Sequence, residues 1–137
     1  MKIAALDIGD QWVGCAISDP LGIIAKPFKT VSSNETDNFI QELITNQKVT
    51  IIVIGYPITM RGTESLQTKK VVQEKERLAA LFPEISFFLQ DERLSSKYAA
   101  QLSHAKTKEE KLKSHARAAA FILETFLQSS KNKFKKS

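Results

Sequence analysis

Two aspartates lie within or just after apolar runs of the chain. Asp7 lies inside the run Ile3–Ile8, and Asp91 follows soon after the run ISFFL at 85–89. A carboxylate in a buried strand is costly in free energy unless its charge is compensated. Two carboxylates that converge favour Mg²⁺ or Mn²⁺, which take hard oxygen ligands. Such ions activate water for attack on a phosphodiester bond, so the pair predicts metal-dependent hydrolysis.

The first carboxylate belongs to a predicted β-hairpin. Residues 2–8 and 12–18 have the composition of two antiparallel strands, and Gly9 and Asp10 supply the turn between them. The first strand is apolar on both faces, which predicts a central strand covered by helices on both sides. Asp7 then lies at the carboxyl end of that strand, where the ligands of open α/β sheets gather.

The rest of the chain alternates between helix and strand signals. The run TIIVIG at 50–55 is typical of a buried parallel strand reached through a helical crossover. The other predicted elements are a strand at 28–31, a helix after Ser33 and Asn34, a helix at 65–82, a strand at 85–89, a short helix at 95–102 and a last helix at 110–128. The main elements follow the order βββαβαβα, which predicts an α/β protein with a mixed five-stranded sheet flanked by helices on both faces.

Composition limits the class of protein. With 137 residues, 42% hydrophobic and 26% charged, the chain is expected to form one globular domain, at 1–128. Cys15 is the only cysteine, so a disulfide framework and a cysteine-based zinc site are excluded. No apolar run is long enough to cross a bilayer, and Asp7 and Asp10 interrupt any secretory signal. These features predict a cytoplasmic protein with no membrane partner.

The net charge of +5 is concentrated near the C-terminus. Residues 102–137 hold nine basic and three acidic side chains, whereas the first 101 residues hold 11 and 12. This asymmetry predicts that a polyanion contacts the C-terminal side of the protein. Lys111 and Lys113, at the start of the last helix, are candidates for phosphate contacts. Residues 129–137 are predicted to form a basic, flexible tail.

Four motifs, in order and at compatible spacing, resemble the YqgF/RuvX family: LDIGDQWVGCAISD, VIGYPITMRGTES, DERLSS and HARAAAFILETFL. The members of that family are bacterial proteins described as pre-16S rRNA nucleases or Holliday junction resolvases. The resemblance extends to about Gln128 and implies an RNase H-like fold, which agrees with the order of elements above. It also implies a hydrolase of ester bonds, a nuclease that uses Mg²⁺ or Mn²⁺ to cut structured nucleic acid.

The resemblance assigns roles to individual residues. Asp7 matches the catalytic aspartate of the first strand and is expected to be a metal ligand. Asp91 matches the first residue of the DER motif and is the second expected ligand. Glu92 is either catalytic or paired with Arg93. Arg93 itself either contacts phosphate and stabilises charge in the transition state, or holds the loop through an ion pair.

A glycine-containing segment follows the fourth predicted strand. Gly55, Pro57 and Gly62 match the G-x-P…G loop of the family, where a nucleic-acid backbone could approach the metal site closely. Ordinary turn chemistry is the alternative explanation for these residues. Arg61, in the same segment, is a candidate phosphate contact or a solvated surface residue.

The chain departs from the family at two places. The last helix usually carries an aspartate in a stretch V-D-x-x-A-A, and His115 stands there instead. An imidazole can bind Mn²⁺ or act as a general base, so His115 predicts a shift from Mg²⁺ towards Mn²⁺. Alternatively, His115 packs on the same helical stripe as Ile122. In the first turn the usual Thr-Lys-Arg is replaced by Asp10-Gln11-Trp12, and Trp12 either stacks on a base or is a half-buried strand residue.

Several functions stay open from the sequence. The leading hypothesis is a monomeric or homodimeric enzyme that processes the 5′ end of pre-16S rRNA, with structured RNA and ribosomal particles as partners. The alternatives are a Holliday junction resolvase-like nuclease acting on branched DNA in recombination and repair, and a non-catalytic RNA-binding factor of ribosome biogenesis with the same fold. Actin-like sugar kinases and ATPases also begin with D-x-G in a hairpin, but they need two such domains.

Overall fold

The computed structural model describes residues 2–58, 66–93 and 107–134, with the backbone alone at 57, 58, 67, 91–93, 111 and 130–134. Its strands are β1 Lys2–Ile8, β2 Trp12–Ser18, β3 Ala25–Ser32, β4 Val49–Ile58 and β5 Ser86–Arg93. The α-helices in the described ranges are α1 Thr36–Gln47, α2 Leu66–Leu81 and α3 Lys108–Phe134, and a 3-10 turn, Ser33–Glu35, precedes α1. The predicted helix at 95–102, Arg61 and Gly62 lie outside the described residues.

The five strands form one mixed sheet in the order β3-β2-β1-β4-β5. Strand β2 is antiparallel to both β1 and β3, and β4 is parallel to both β1 and β5. The central position of β1 explains its apolar residues on both faces, because each face is covered by helices. The predicted fold class is therefore confirmed.

The sheet separates two hydrophobic cores. Leu6 and Ile54 pack on one face, with Ile40 of α1 and Leu78 of α2. The opposite face packs against α3 and uses smaller residues: Ala5 and Ala16 of the sheet and Ala119 of the helix are fully buried there. Small side chains on both surfaces allow the helix to lie close to the sheet.

The two helices on the first face are also joined through one arginine. The guanidinium of Arg77 in α2 donates to both carboxylate oxygens of Asp37 in α1, at 2.9 and 2.8 Å, and also to Glu74. The hydrogen bonds from Arg77 lower the pKa of Asp37 from its ordinary value. Both side chains remain accessible to solvent, so the pair aligns the helices more than it stabilises them.

The strands β4 and β5 are longer than predicted. Gly55, the last residue of the predicted strand at 50–55, lies within β4, but the prediction that Pro57 belongs to a loop is wrong, because β4 continues to Ile58. Asp91 was expected just past the fifth strand, and it lies within it, since β5 ends at Arg93. Parallel pairing between the two strands, from Tyr56 with Asp91 onwards, continues after the apolar pattern ends. The pairing of β4 with β1 ends earlier, at Ile54, so Pro57 lies where a strand tolerates proline.

The ends of other elements also differ from the prediction. Strand β3 begins at Ala25 rather than at residue 28, and the backbone of α3 continues to Phe134 rather than ending at Gln128. Helix α1 ends in a left-handed cap. Lys48 adopts the left-handed conformation, and its amide donates to the carbonyl of Leu43. Among the described helices, none is long and apolar enough to span a membrane.

Two leucines of α2 test the packing of that helix. We expect Leu78→Ala to reduce the free energy of unfolding by about 2–5 kcal/mol, because Leu78 is fully buried and its loss leaves a cavity. Leu81→Ala, the same change at a position that is 52% exposed, should alter it by no more than about 0.5 kcal/mol. Urea denaturation of both variants measures the difference. Equal losses would mean that α2 presents a different face to the sheet.

Candidate active site and nucleic-acid interface

Asp7 lies at the carboxyl end of the central strand, on the side of the sheet that faces α3. Ile3 and Ala5, which precede it at alternate positions of β1, pack in the core beneath α3, whereas Leu6 packs in the opposite core. Alternation therefore assigns Asp7 to the α3 side. Its side chain is only partly buried, so the carboxylate lies at the edge of the core and not within it.

Gly14 is the direct partner of Asp7 in the antiparallel pair of β1 and β2. A Cβ atom at Gly14 would lie 2.9 Å from the amide nitrogen of Ala116 and closer still to the carbonyl group of His115. The backbone of α3 therefore contacts the sheet directly at Gly14. Because paired residues on neighbouring strands share a face, this contact places the backbone of His115 over the same face of the sheet as Asp7, although the two are far apart in sequence.

A second contact fixes the same part of α3 to the sheet. Thr30 of β3 is the partner of Gly14 on its other side. Its hydroxyl donates a hydrogen bond of 2.5 Å to the carbonyl oxygen of Leu112 in α3. Thr30, Gly14 and Asp7 thus form a row across three strands, here called the Asp7 row, and the first turns of α3 lie over it.

The DER residues, 91–93, lie at the carboxyl end of β5, as Asp7 lies at the carboxyl end of β1. Asp91 is paired with Tyr56 and Gln90 with Gly55, and Gly55 follows the residue that pairs with Leu6 of β1. Two strand spacings of about 4.8 Å place the backbone of this part of β5 roughly 10 Å from that of β1. The side chains of Asp91, Glu92, Arg93 and Pro57 lie outside the described part of the structure.

The donor types at this edge suit a divalent cation in part. Asp7 offers carboxylate oxygens and His115 an imidazole nitrogen, which together are an acceptable partial set for Mn²⁺. Within the side chains that the structure describes, no group of three or more His, Cys, Asp or Glu residues could hold a metal ion. Asp91 and Glu92 are not among those side chains, and Asp7 and His115 alone are too few donors for a complete metal site.

The basic candidates lie on the first turns of α3. Lys113 is exposed and lies 3.6 Å from Glu109, one turn earlier. Lys111 lies in the same helix, and its side chain is not described. Lys108 places its ammonium nitrogen 5.6 Å from the ring centre of Trp12, which is half-buried. A lysine side chain therefore covers part of Trp12. This agrees better with a half-buried strand residue than with a ring available to stack on a base.

Asp10, by contrast, lies outside this site. Its carboxylate forms an exposed ion pair of 3.2 Å with Lys70 of α2, the helix on the other side of the sheet. The residues that sequence reasoning missed are Gly14 and Thr30. A glycine inside a strand often marks a close approach of another backbone, and that signal was present at Gly14.

The fold resembles that of a junction-resolving nuclease. Thermus thermophilus RuvC superimposes with a TM-score of 0.56 at 14% identity, covering 96% of this chain and 97% of that one. The same protein in complex with a Holliday junction substrate gives a TM-score of 0.57 at 13% identity. At such low identity these structures establish the fold only.

Sequence comparison defines the family. The family model RuvX, described as "Holliday junction resolvase", matches residues 1–129. A protein of Thermoanaerobacter pseudethanolicus is 40% identical, covering 97% of this chain and all of the relative. One of Rubrobacter xylanophilus is 32% identical, covering 93% and 92%. Both are named "Putative pre-16S rRNA nuclease". The chain belongs to the RuvX family, so the predicted family and its enzyme class, nucleases, are confirmed.

Gly14→Ala tests the contact between α3 and the sheet. The added methyl group would overlap backbone atoms of His115. The backbone of a helix cannot move aside as a flexible side chain can. We expect the free energy of unfolding to fall by at least about 1–3 kcal/mol. The backbone amide signals of His115 and Ala116 should also shift in two-dimensional NMR spectra. A stable variant with unchanged signals would show that α3 does not lie against Gly14.

Proposed function

We propose that this protein is a divalent-metal-dependent endonuclease that cuts phosphodiester bonds in structured nucleic acid. The observation that carries the proposal is the contact of α3 with Gly14, which brings His115 to the same edge of the sheet as Asp7. The membership of the RuvX family agrees with this assignment. Asp7 lies at the carboxyl end of the central strand, where open α/β sheets concentrate their catalytic groups.

The residues of the site have separate roles in the proposal. Asp7 and Asp91 supply carboxylate ligands, Glu92 supplies a further carboxylate, and His115 binds the cation or accepts a proton from the attacking water. When bound, the cation would polarise the phosphate and lower the pKa of a bound water. Because Asp7 is partly buried, its carboxylate is less solvated than a fully exposed one, which strengthens its attraction to a cation.

The proposed substrate is pre-16S rRNA, which the names of the relatives mention, and the proposed place of cleavage within it is the 5′ region. This substrate implies a cytoplasmic protein that meets ribosomal particles. A second candidate is a four-way DNA junction, which is favoured by the description of the matching family model, "Holliday junction resolvase". A non-catalytic RNA-binding factor would share the basic surface and differ from both in showing no cleavage.

Asp7→Asn tests the catalytic assignment. We expect cleavage of precursor rRNA fragments in Mn²⁺ to fall by at least about 100-fold, because an amide is a much poorer ligand for a hard cation than a carboxylate. Titration of Mn²⁺ followed by electron paramagnetic resonance should show weaker binding of the ion. Thermal unfolding should show that the variant is folded.

Asp10→Asn is the matched control, since Asp10 is three residues away and pairs with Lys70 on the other side of the sheet. It should cut and bind Mn²⁺ as the unmodified protein does. If Asp7→Asn cuts at the normal rate, Asp7 is not catalytic and the nuclease site lies elsewhere. If the unmodified protein cuts neither precursor rRNA nor a four-way junction in either metal, the non-catalytic function replaces the proposal.

His115→Asp tests the role of the histidine. A carboxylate at this position adds a hard ligand, so the ratio of activity in Mg²⁺ to activity in Mn²⁺ should rise by about tenfold or more. Rates of cleavage in each metal over a range of concentrations measure this ratio. His115→Gln, which keeps a polar side chain of similar length, is the control for packing. An unchanged ratio in His115→Asp would assign His115 to helix packing alone.

A further inference from the structure

Three large aliphatic side chains are exposed on the loop that joins β2 to β3, residues 19–24. Leu21 is 79% exposed, Ile23 52% and Ile24 54%. Single exposed aliphatic residues are common on protein surfaces, but three within four positions concentrate apolar surface in one place. This concentration indicates a surface that another molecule covers.

Hydrogen bonds within the loop hold it in one conformation. Oxygen Oδ1 of Asp19 accepts from the amides of Ile23 and Ile24, at 2.6 and 2.7 Å. The amide of Asp19 donates to the carbonyl of Ile24, and the amide of Gly22 donates to the carbonyl of Asp19. The φ of Gly22 is 70°, which is in the left-handed region that favours glycine. Because the backbone is already ordered, a partner would bind it with little loss of conformational entropy.

The loop lies at the end of the sheet opposite to Asp7. Strand β2 is antiparallel to β1, and the hydroxyl of Ser18, the last residue of β2, accepts from the amide of Ile3 at 2.8 Å. Ile3 and Asp7 are four residues apart in β1, which is roughly 13 Å at about 3.3 Å per residue. A partner bound to the loop would therefore leave the proposed active site accessible.

Lysines lie around the loop at this end of the sheet. Lys26 follows the loop in β3 and is exposed. Lys2 begins β1, and Lys48, also exposed, precedes β4, which is parallel to β1. Glu84, an acidic residue at the same end, lies just before β5, which is three strands away from β2. The carboxylate of Asp19 binds amides of its own loop, so the accessible charges nearest to the aliphatic side chains are positive.

The end of α3 adds to this charge. Leu127 of α3 packs in the same core as Ile3, near the start of β1, so the helix runs towards the end of the sheet that carries the loop. Residues 129–137 contain four lysines and no acidic residue. Positive charge and aliphatic surface together suit a partner that has carboxylates around an apolar surface. A nucleic acid would instead be matched by aromatic rings, on which its bases stack.

We propose that the loop 19–24 is a docking element, which inserts into an apolar pocket with an acidic rim on another folded protein. The three aliphatic side chains fill the pocket, and Lys2 and Lys26 pair with carboxylates at its rim. A second copy of this chain is a poorer partner, because association through this end would bring the lysines of both copies together. The docking is independent of the proposed function, since the loop and the candidate active site lie at opposite ends of the sheet.

Site-specific cross-linking identifies the partner. The full-length protein, in which Ile23 is replaced by photoreactive benzoylphenylalanine, is irradiated in the living cells that produce it naturally. The control has the same label in place of Leu66, which is 80% exposed on α2. The protein that is cross-linked through position 23 and not through position 66 is then purified, and its binding to each variant is measured by calorimetry. Binding should show a negative change in heat capacity, which is the marker of apolar burial.

The test variant is Leu21→Ser/Ile23→Ser. The matched control is Leu66→Ser/Leu81→Ser, because these two leucines of α2 are 80% and 52% exposed, as against 79% and 52% at the loop positions. We expect the test variant to bind the purified partner at least about 100-fold more weakly, since it loses two buried aliphatic contacts. The control should bind normally, and both variants should keep the thermal stability and the cleavage activity of the unmodified protein.

Two further variants separate charge and order from apolar contact. Lys26→Gln should weaken binding several-fold and make the association rate less sensitive to salt, because it removes an ion pair at the rim. Asp19→Ala keeps the three aliphatic side chains but removes the acceptor that orders their backbone, so it should weaken binding about tenfold. Calorimetry and stopped-flow mixing with the purified partner measure the affinities and the rates.

The proposal is overturned if no protein is cross-linked through position 23 alone, or if the test variant binds that protein as tightly as the control does. An unchanged salt dependence in Lys26→Gln would contradict the acidic rim. Three other results would assign the loop a different occupant and so also disprove the proposal. They are loop-dependent binding to vesicles of phosphatidylcholine and phosphatidylglycerol, loop-dependent binding to an RNA hairpin, and a dimer in sedimentation experiments that the test variant dissociates.

Discussion

The contact between the backbone of α3 and Gly14 is the constraint on which the arrangement of this protein depends. A helix can touch a sheet this closely only where the strand has no side chain, and the buried alanines on both surfaces extend the same close fit. The hydrogen bond from Thr30 to Leu112 fixes the helix at a second point of the same row. Two contacts on neighbouring strands leave the first turns of α3 little freedom to rotate or slide, so the backbone of His115 has a defined position.

Much of the fold could be predicted from local sequence patterns. The bounds of β1 and β2 agree with the prediction, because their alternation and the Gly9 turn are encoded by neighbouring residues. The ends of β4 and β5 could not be predicted in this way. Their last residues are polar or contain proline, and they are strands only because two distant segments pair with each other. The hydrophobic periodicity on which strand prediction depends ends before the pairing of β4 with β5 does.

The site, like the fold, could be predicted only in part. The face of the sheet on which Asp7 lies follows from alternation along β1, and its place at the strand end follows from the length of the apolar run. The importance of Gly14 could not be deduced, because a glycine in a strand has several explanations and the sequence does not say which helix crosses it.

The histidine at position 115 changes the electrostatics of the proposed site. An imidazole in place of a carboxylate leaves one negative charge fewer at this end of the sheet. The attraction of the site for a hard cation then decreases, but so does its repulsion of the phosphates of an incoming strand, because both effects follow the same Coulomb interaction. A substrate bound at this site would bring its own phosphate oxygens, which can replace the missing carboxylate as ligands of the cation. The reduced charge of the protein site and the charged oxygens of its substrate would thus be physically complementary.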